Sequence, residues 1–146
     1  MLALAAALVL AACGGDGGGG TGSNGDAQTS EQAEEESSGT IKVAGEDAND
    51  HGTKDVAGAR EAEVELDDFY FEPTVLTGAA GQKLTLTLAN EGDATHNFSL
   101  EAQGIDEDID PGAEAEVEVT FPDSGELLFM CKFHTGQGMN GGLEAS

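Results

Sequence analysis

Basic residues are scarce in this chain, which has 5 Lys and Arg against 29 Asp and Glu and a formal net charge of -24. A protein that binds a nucleic-acid backbone needs Lys and Arg to neutralise the phosphates, so this balance argues against a nucleic-acid partner. The same charge favours solubility and long-range attraction to a basic partner. Much of it is expected on a solvated tail and on the exposed faces of strands.

Cysteine is also rare, with one residue at position 13 and one at position 131. Cys13 follows MLALAAALVLAA, an apolar run that is too short to span a bilayer and fits the h-region of a secretory signal peptide. The segment from Leu10 to Cys13 resembles the lipobox of bacterial lipoproteins, although no Lys or Arg precedes the run. That resemblance implies a signal peptide at 1–12, a lipid on Cys13, and a location on the extracytoplasmic face of the membrane or in the periplasm.

With Cys13 lipidated, Cys131 is left without a disulfide partner. A lone thiol is a liability in an oxidising compartment unless something uses it. The pattern therefore first suggests that Cys131 is a metal ligand.

Apolar residues are nearly missing from the stretch after Cys13, which is rich in Gly, Ser and Glu. Such a composition cannot offset the entropy of ordering the chain, so residues 13–60 are predicted to be a disordered tether. Residues 41–60 are ambiguous, because Val43 and Val56 could let them pack on the domain as an N-terminal arm. His51 in this stretch is interpreted as a solvated loop histidine.

No stretch from residue 61 onwards has the 3.6-residue apolar period of a helix, and the apolar period there is two. Apolar and polar residues alternate around Val64 and Leu66, through 84–88 and through 113–121, with turn-forming residues between these runs. Alternation places one face of a strand on a core and the other in water. Residues 61–146 are therefore predicted to form an all-β domain, a small antiparallel β-sandwich.

The segment FMCKFHTGQGMNG spaces three metal-binding side chains as Cys131-x2-His134-x4-Met139. Two imidazoles, one thiolate and a weak axial thioether are the ligands of blue-copper sites, so a second histidine is needed. His96 is the natural choice over His51, because it stands at the start of another predicted strand. Zinc bound by the Cys and the two His residues is chemically feasible, but it would leave the Met without a purpose.

The two motifs together resemble the cupredoxin family, and most closely its plastocyanin and pseudoazurin branch. The resemblance covers about residues 61–146 and implies a Greek-key sandwich with one copper ion that shuttles between Cu(I) and Cu(II). It implies that the equatorial ligands are His96, Cys131 and His134, that the axial ligand is Met139, and that the backbone of Asn97 bonds the thiolate sulfur. The interval between the first His and the Cys is shorter than in plastocyanins, which suggests that an intervening flap or strand is missing.

The family resemblance further implies a one-electron carrier, in which His134 reaches the surface and an apolar docking patch surrounds it. That patch would consist of Phe133, His134, Gly136 and Gly138, with Met139 beside them. The expected partner is a redox protein at the membrane with a basic docking surface, and the chain is expected to be a lipid-anchored monomer. The alternative is copper storage or delivery. An enzyme is not expected, because four protein ligands leave no open position on the metal.

Overall fold

A computed structural model describes residues 39–146 of the chain. The predicted signal peptide, the predicted lipidation site at Cys13 and the first part of the predicted tether lie outside the described residues. No helix in the described range is long and apolar enough to cross a membrane.

Between Gly39 and Ser146 the chain forms twelve β-strands and two short 3₁₀ turns. The strands are β1 Gly39–Val43, β2 Glu46–Asp50, β3 Thr53–Asp55, β4 Glu61–Asp67, β5 Tyr70–Glu72, β6 Val75–Gly78, β7 Lys83–Asn90, β8 His96–Leu100, β9 Ile105–Ile109, β10 Glu114–Thr120, β11 Glu126–Met130 and β12 Asn140–Ala145. The 3₁₀ turns are Glu101–Gln103 and Thr135–Gln137.

The strands are arranged in two main sheets and one hairpin. One sheet has four strands in the order β10-β7-β4-β5, and the other has six in the order β3-β6-β12-β11-β8-β9. Among the described strands, β1 and β2 pair only with each other. Most neighbours are antiparallel, while β4 with β7, β6 with β12, and β3 with β6 run parallel.

A single apolar core joins the two main sheets, because alternating residues of each sheet turn towards the other. In β4, the buried Val64 and Leu66 alternate with the exposed Glu63 and Glu65, as the pattern predicts. The ring of Phe71 from the four-stranded sheet lies edge-on to Phe98 and Phe129 of the six-stranded sheet, at centroid distances of 6.2 and 5.0 Å. The prediction of an all-β sandwich is confirmed.

The domain begins well before residue 61, so the predicted boundary is wrong and the alternative of a packed N-terminal arm is right. Strands β1, β2 and β3 all lie within residues 39–60. Val43 and Ala48 pack on Val75, and Val56 joins the main core. Composition does not predict these strands, because the segment buries only a few apolar side chains and is held mainly by backbone pairing.

Candidate metal centre

The pairing of β8 with β11 brings the two predicted motifs to one end of the sandwich. The strands are antiparallel neighbours, and Met130 lies opposite Ser99. His96 begins β8 and Cys131 directly follows β11, so both residues lie where one strand starts and the other ends. His134 follows within the loop that connects β11 to β12.

The ligand atoms of His96, Cys131 and His134 lie within 4.8 Å of one another. The Nδ1 atoms of the two imidazoles are 3.2 Å apart, and Cys131 Sγ is 3.4 Å from His134 Nδ1. Ligand bonds of about 2.0 Å for nitrogen and about 2.3 Å for sulfur, the lengths known for zinc, allow three atoms at these separations to share one ion. The three residues therefore fit a single metal ion.

Met139 is fully buried, and its backbone is bonded to both ligands of the same loop. The N–H of Cys131 donates to the Met139 carbonyl at 3.0 Å, and the N–H of Met139 donates to the His134 carbonyl at 3.3 Å. Gly138 ends the 3₁₀ turn with a φ of 86°, a left-handed conformation that favours glycine. The chain is thereby folded tightly around the site, and the role of Met139 as the axial ligand stays a prediction.

Asp68 was not identified in the sequence as a functional residue, yet its carboxylate is bonded to the buried ligand His96. Nε2 of the imidazole lies 2.9 Å from Asp68 Oδ1. Desolvation alone would raise the pKa of Asp68, but the hydrogen bonds from His96 and from the N–H groups of Asp93 and Ala94 lower it. An ionised carboxylate only accepts hydrogen bonds, so Nε2 carries the proton and Nδ1 keeps a free lone pair for the metal.

Phe69, the next residue, packs against both histidines. Its ring centroid is 4.6 Å from that of His134 and 6.4 Å from that of His96. A signal for this turn was present in the sequence, because Asp68 stands where the alternation of Val64 and Leu66 calls for an apolar residue. An acid at an inward position marks a site that needs a polar partner.

Burial lowers the pKa of His134, and the neighbouring His96 lowers it further. Asp68 acts weakly in the opposite direction. The imidazole is therefore held in the neutral form, which is the form that binds a metal.

Asn97 is fully buried, and its side chain makes five hydrogen bonds. Its amide NH₂ donates to Asp106 Oδ1 and Asp108 Oδ1, each at 2.7 Å, and to the Glu107 carbonyl. Its amide oxygen accepts from the hydroxyl of Ser99 and from the N–H of Lys132, the residue after Cys131. The side chain thus ties β8 and β9 to the end of β11, and the expected backbone bond to the sulfur stays a prediction.

The residues expected to form the docking patch lie together on the ligand loop. Phe133 is 50% exposed, Gly136 is exposed, and His134 and Gly138 are half-buried. Met139 does not contribute to the surface, because it is fully buried. The loop therefore presents one large apolar side chain and one edge of a ligand to solvent.

Asn49 of β2 holds the ligand loop from the outside. Its N–H donates to the Gly138 carbonyl at 2.9 Å, and its side-chain amide donates to the Gln137 carbonyl at 2.8 Å and to the Phe69 carbonyl at 3.0 Å. A Cβ at Gly138 would lie 2.8 Å from Asn49 Oδ1, so this position needs a glycine for space as well as for its φ. The N-terminal arm is therefore part of the structure that shapes the site.

His51 does not belong to the site and is not simply solvated. Its ring stacks on Tyr70 with a centroid distance of 3.4 Å and an interplanar angle of 6°, and Nδ1 lies 3.8 Å from a Glu72 carboxylate oxygen. The choice of His96 over His51 as the ligand agrees with this geometry.

A family model described as "Cupredoxin-like domain" matches residues 29–143. No curated protein sequence matches the chain.

Three similar solved structures share its fold. A chain of a heme-copper terminal oxidase dimer has a TM-score of 0.52 and 15% identity, over 61% of this chain and 66% of that one, just under two thirds of its length.

The second similar structure is the reduced auracyanin of Roseiflexus castenholzii, with a TM-score of 0.50 and 18% identity over 60% of this chain and 98% of that one. The third is the metal binding domain of the Cu(I) exporting P-type ATPase CopA of Streptococcus pneumoniae D39, in a structure with Cu(I). It has a TM-score of 0.53 and 15% identity, over 64% of this chain and 95% of that one. At these identities the likeness shows the fold alone.

Proposed function

Because the chain belongs to the cupredoxin-like family, we propose that it is a blue, type 1 copper protein that carries single electrons. The observation that carries this proposal is the convergence of two imidazole Nδ1 atoms and one thiol within 4.8 Å of one another. Two His, one Cys and a weak axial Met are the ligand set of blue-copper electron-transfer sites. His96, Cys131 and His134 would hold the copper, with Met139 as the axial ligand, and the metal would supply the one-electron couple.

The protein contributes a site whose ligands are fixed before any electron moves. Cys131 is anchored through the Met139 carbonyl, His96 through Asp68, and His134 by the ring of Phe69. Such anchoring keeps the same geometry in both oxidation states, so little reorganisation opposes electron transfer. The half-buried ring of His134 is the proposed route to a partner, and the exposed Phe133 is the proposed apolar contact beside it.

The proposed partner is a redox protein at the membrane with a basic docking surface, because the acidic charge of this chain would attract such a surface. A lipid on Cys13 would keep the domain, as a monomer, at the extracytoplasmic face, where it would meet that partner repeatedly. Labelling cells with a radioactive fatty acid checks the anchor. We expect the label in the protein and its loss in Cys13→Ser.

Copper storage or delivery is the second proposed function, and it is distinguished by what happens to the ion. A carrier keeps its copper over many cycles of reduction and oxidation, whereas a delivery protein passes Cu(I) to a copper-free acceptor. Repeated voltammetric cycling in the presence of a moderate Cu(I) chelator separates the two. Retained copper supports the carrier, and steady loss of copper supports delivery.

Addition of Cu(II) to the purified protein tests the site itself. We expect an intense blue colour from thiolate-to-copper charge transfer, which Cys131→Ser abolishes because the thiolate is gone. His51→Ala is the matched control and keeps the colour, since His51 lies outside the cluster. Visible absorption measures both, and a colourless copper complex of the unmodified protein would contradict the type 1 geometry.

A further inference from the structure

We propose that Asp68 is a positioning residue for the metal, which fixes the tautomer of His96 and shifts the preference of the site from Cu(I) towards Cu(II). The first half of this proposal concerns the copper-free protein, and the second half rests on the proposed copper function. Neither the spacing of the ligands nor the likeness of the fold identifies this residue.

The tautomer follows from the contact between the two side chains. His96 is fully buried, whereas 33% of the Asp68 side chain is exposed, and 2.9 Å separates Nε2 from Oδ1. A neutral imidazole carries one N–H, and a carboxylate can only accept it. The proton therefore stays on Nε2, and Nδ1 turns its lone pair to the point shared with His134, whose Nδ1 is 3.2 Å away.

The surrounding chain is shaped around this pair, which argues against an incidental contact. A Cβ at Gly92 would lie 2.8 Å from Asp68 Oδ1 and 2.8 Å from His96 Nε2, so no other residue fits there without pushing the pair apart. Gly92 is itself held by its N–H, which donates to the side-chain oxygen of Asn90 at 2.9 Å. The N–H of Asp68 donates to Asp67 Oδ1 at 2.7 Å, which fixes the turn that carries the carboxylate.

The negative charge of the carboxylate adds a second effect. A carboxylate behind a metal-binding histidine raises the basicity of the ring as a ligand, and loss of such a partner typically costs 10–100-fold in metal affinity. The gain is larger for the ion of higher charge, because attraction scales with the product of the charges. Asp68 should therefore strengthen Cu(II) binding more than Cu(I) binding.

Asp68→Ala and Asp68→Asn separate the two effects. In Asp68→Ala, the copper-free protein should lose the protected Nε2–H resonance of His96 in ¹⁵N–¹H spectra, and Cu(II) affinity should fall about 10–100-fold, more than Cu(I) affinity. In Asp68→Asn, the amide oxygen still accepts the N–H, so the tautomer should persist while the preference for Cu(II) declines. Each tenfold decline in that preference raises the potential by 59 mV for a one-electron couple.

Gly92→Ala provides an independent variant that leaves both side chains in place. Its added methyl group should displace the pair and weaken the Nε2–H resonance in the copper-free protein. Asp93→Asn is the matched control: it removes an exposed charge close by and keeps the backbone N–H of Asp93, which donates to Asp68 at 3.4 Å. We expect the tautomer in Asp93→Asn to be that of the unmodified protein.

Two outcomes distinguish failure of the proposal from failure of the proposed function. If copper binds normally but Asp68→Ala gives the same His96 spectrum and the same ratio of Cu(II) to Cu(I) affinity as Asp93→Asn, Asp68 does not position the ligand. If the tautomer depends on Asp68 but the unmodified protein binds no copper, the proposed function fails and the first half of the proposal stands. Competition with chelators of known affinity measures both ions.

Discussion

The outer face of the four-stranded sheet and the metal end of the sandwich use their acids in opposite ways. On the sheet face, Thr85 and Thr87 of β7 each lie between a glutamate of β4 and a glutamate of β10. All six glutamates of these two rows are exposed, and they are Glu61, Glu63, Glu65, Glu114, Glu116 and Glu118. Within the described residues, one of the six forms an ion pair, between Glu118 and Lys83.

At the metal end, by contrast, acids have specific partners. Asp68 holds His96, while Asp106 and Asp108 share Lys132 at 2.7 and 2.8 Å. The comparison teaches that a strongly acidic chain can use its carboxylates in two ways. On the sheet face five of the six carboxylates have no ion-pair partner among the described residues, whereas at the metal end Asp68, Asp106 and Asp108 each contact a particular side chain.

Asn97→Ala should have the largest effect, because it removes a buried side chain that links three strands at the metal end. Loss of its bonds leaves the buried hydroxyl of Ser99 and the part-buried N–H of Lys132 and carbonyl of Glu107 unpaired, which should lower the free energy of unfolding by about 2–3 kcal/mol. Glu116→Ala on the sheet face should change it by no more than about 0.5 kcal/mol. Urea denaturation measures both values. Equal losses of unfolding free energy in the two variants would contradict the difference between the two regions.

Replacement of Glu63, Glu114 and Glu116 by Gln tests whether the negative charge of the sheet face attracts a basic partner electrostatically. With the reduced copper-loaded protein and a basic cytochrome c as the probe, we expect the association rate at low salt to fall about fivefold. The difference should shrink at high salt, because screening weakens interactions between exposed charges. Stopped-flow absorption measures the rate.

The matched control removes three exposed charges elsewhere, at Glu46, Glu101 and Asp123. This variant should retain most of the rate, because its charges lie outside the two glutamate rows. If both variants slow association equally, total charge steers the probe and the sheet face has no special role.

Acidification should reduce the stability contributed by the carboxylates at the metal end and should reduce the repulsion among the carboxylates of the sheet face. This is the smallest of the expected effects. Hydrogen bonds from Lys132 and then from Asn97 lower the pKa of Asp106 and of Asp108. A lowered pKa gives stability that is present above the unfolded value, near 3.9, and is lost as the pH falls through the folded value. Lys132→Gln should therefore destabilise the protein at pH 7 and flatten its loss of stability below about pH 4.

The contribution of Glu65 to stability should change with pH in the opposite direction. Desolvation, and then the neighbouring Glu72, Glu63, Glu91 and Asp67, raise its pKa. The folded state therefore binds this proton more readily, so its contribution improves as the pH falls through the raised pKa. Glu65→Gln should stabilise the protein at pH 7 and lose this advantage near pH 4, as urea midpoints across the pH range would show. A change in stability at pH 7 of the same sign for Lys132→Gln and Glu65→Gln would contradict the difference between the metal end and the sheet face.

Much of the site was predictable because its information is local. Cys131, His134 and Met139 stand within nine residues, and the alternation around Val64 and Leu66 gave the strand type and the buried face. The partner strand followed from the need for one more imidazole. Such features depend on spacing along the chain, which a sequence displays directly.

What could not be predicted depends on contacts between distant segments. Asp68 meets His96 across 28 positions of sequence, and Asn49 meets Gln137 across 88. The sequence leaves residues 41–60 ambiguous between tether and arm, because the strands there bury few apolar side chains and are held by hydrogen bonds that composition does not reveal. The interaction expected of the Asn97 backbone also gave no hint of its side-chain bonds to β9.

The bonds of Asn49 have a practical consequence for anyone who shortens the protein. A recombinant piece cut to begin at residue 61 would keep all four proposed copper ligands and still lack the brace that reaches Gly138 and Gln137. It would also lack the Asp47 carbonyl, which accepts from the side chain of Asn140 directly after Met139. Weak blue absorption or weak copper binding by such a piece would therefore reflect the loss of these supporting hydrogen bonds and not a wrong choice of ligands.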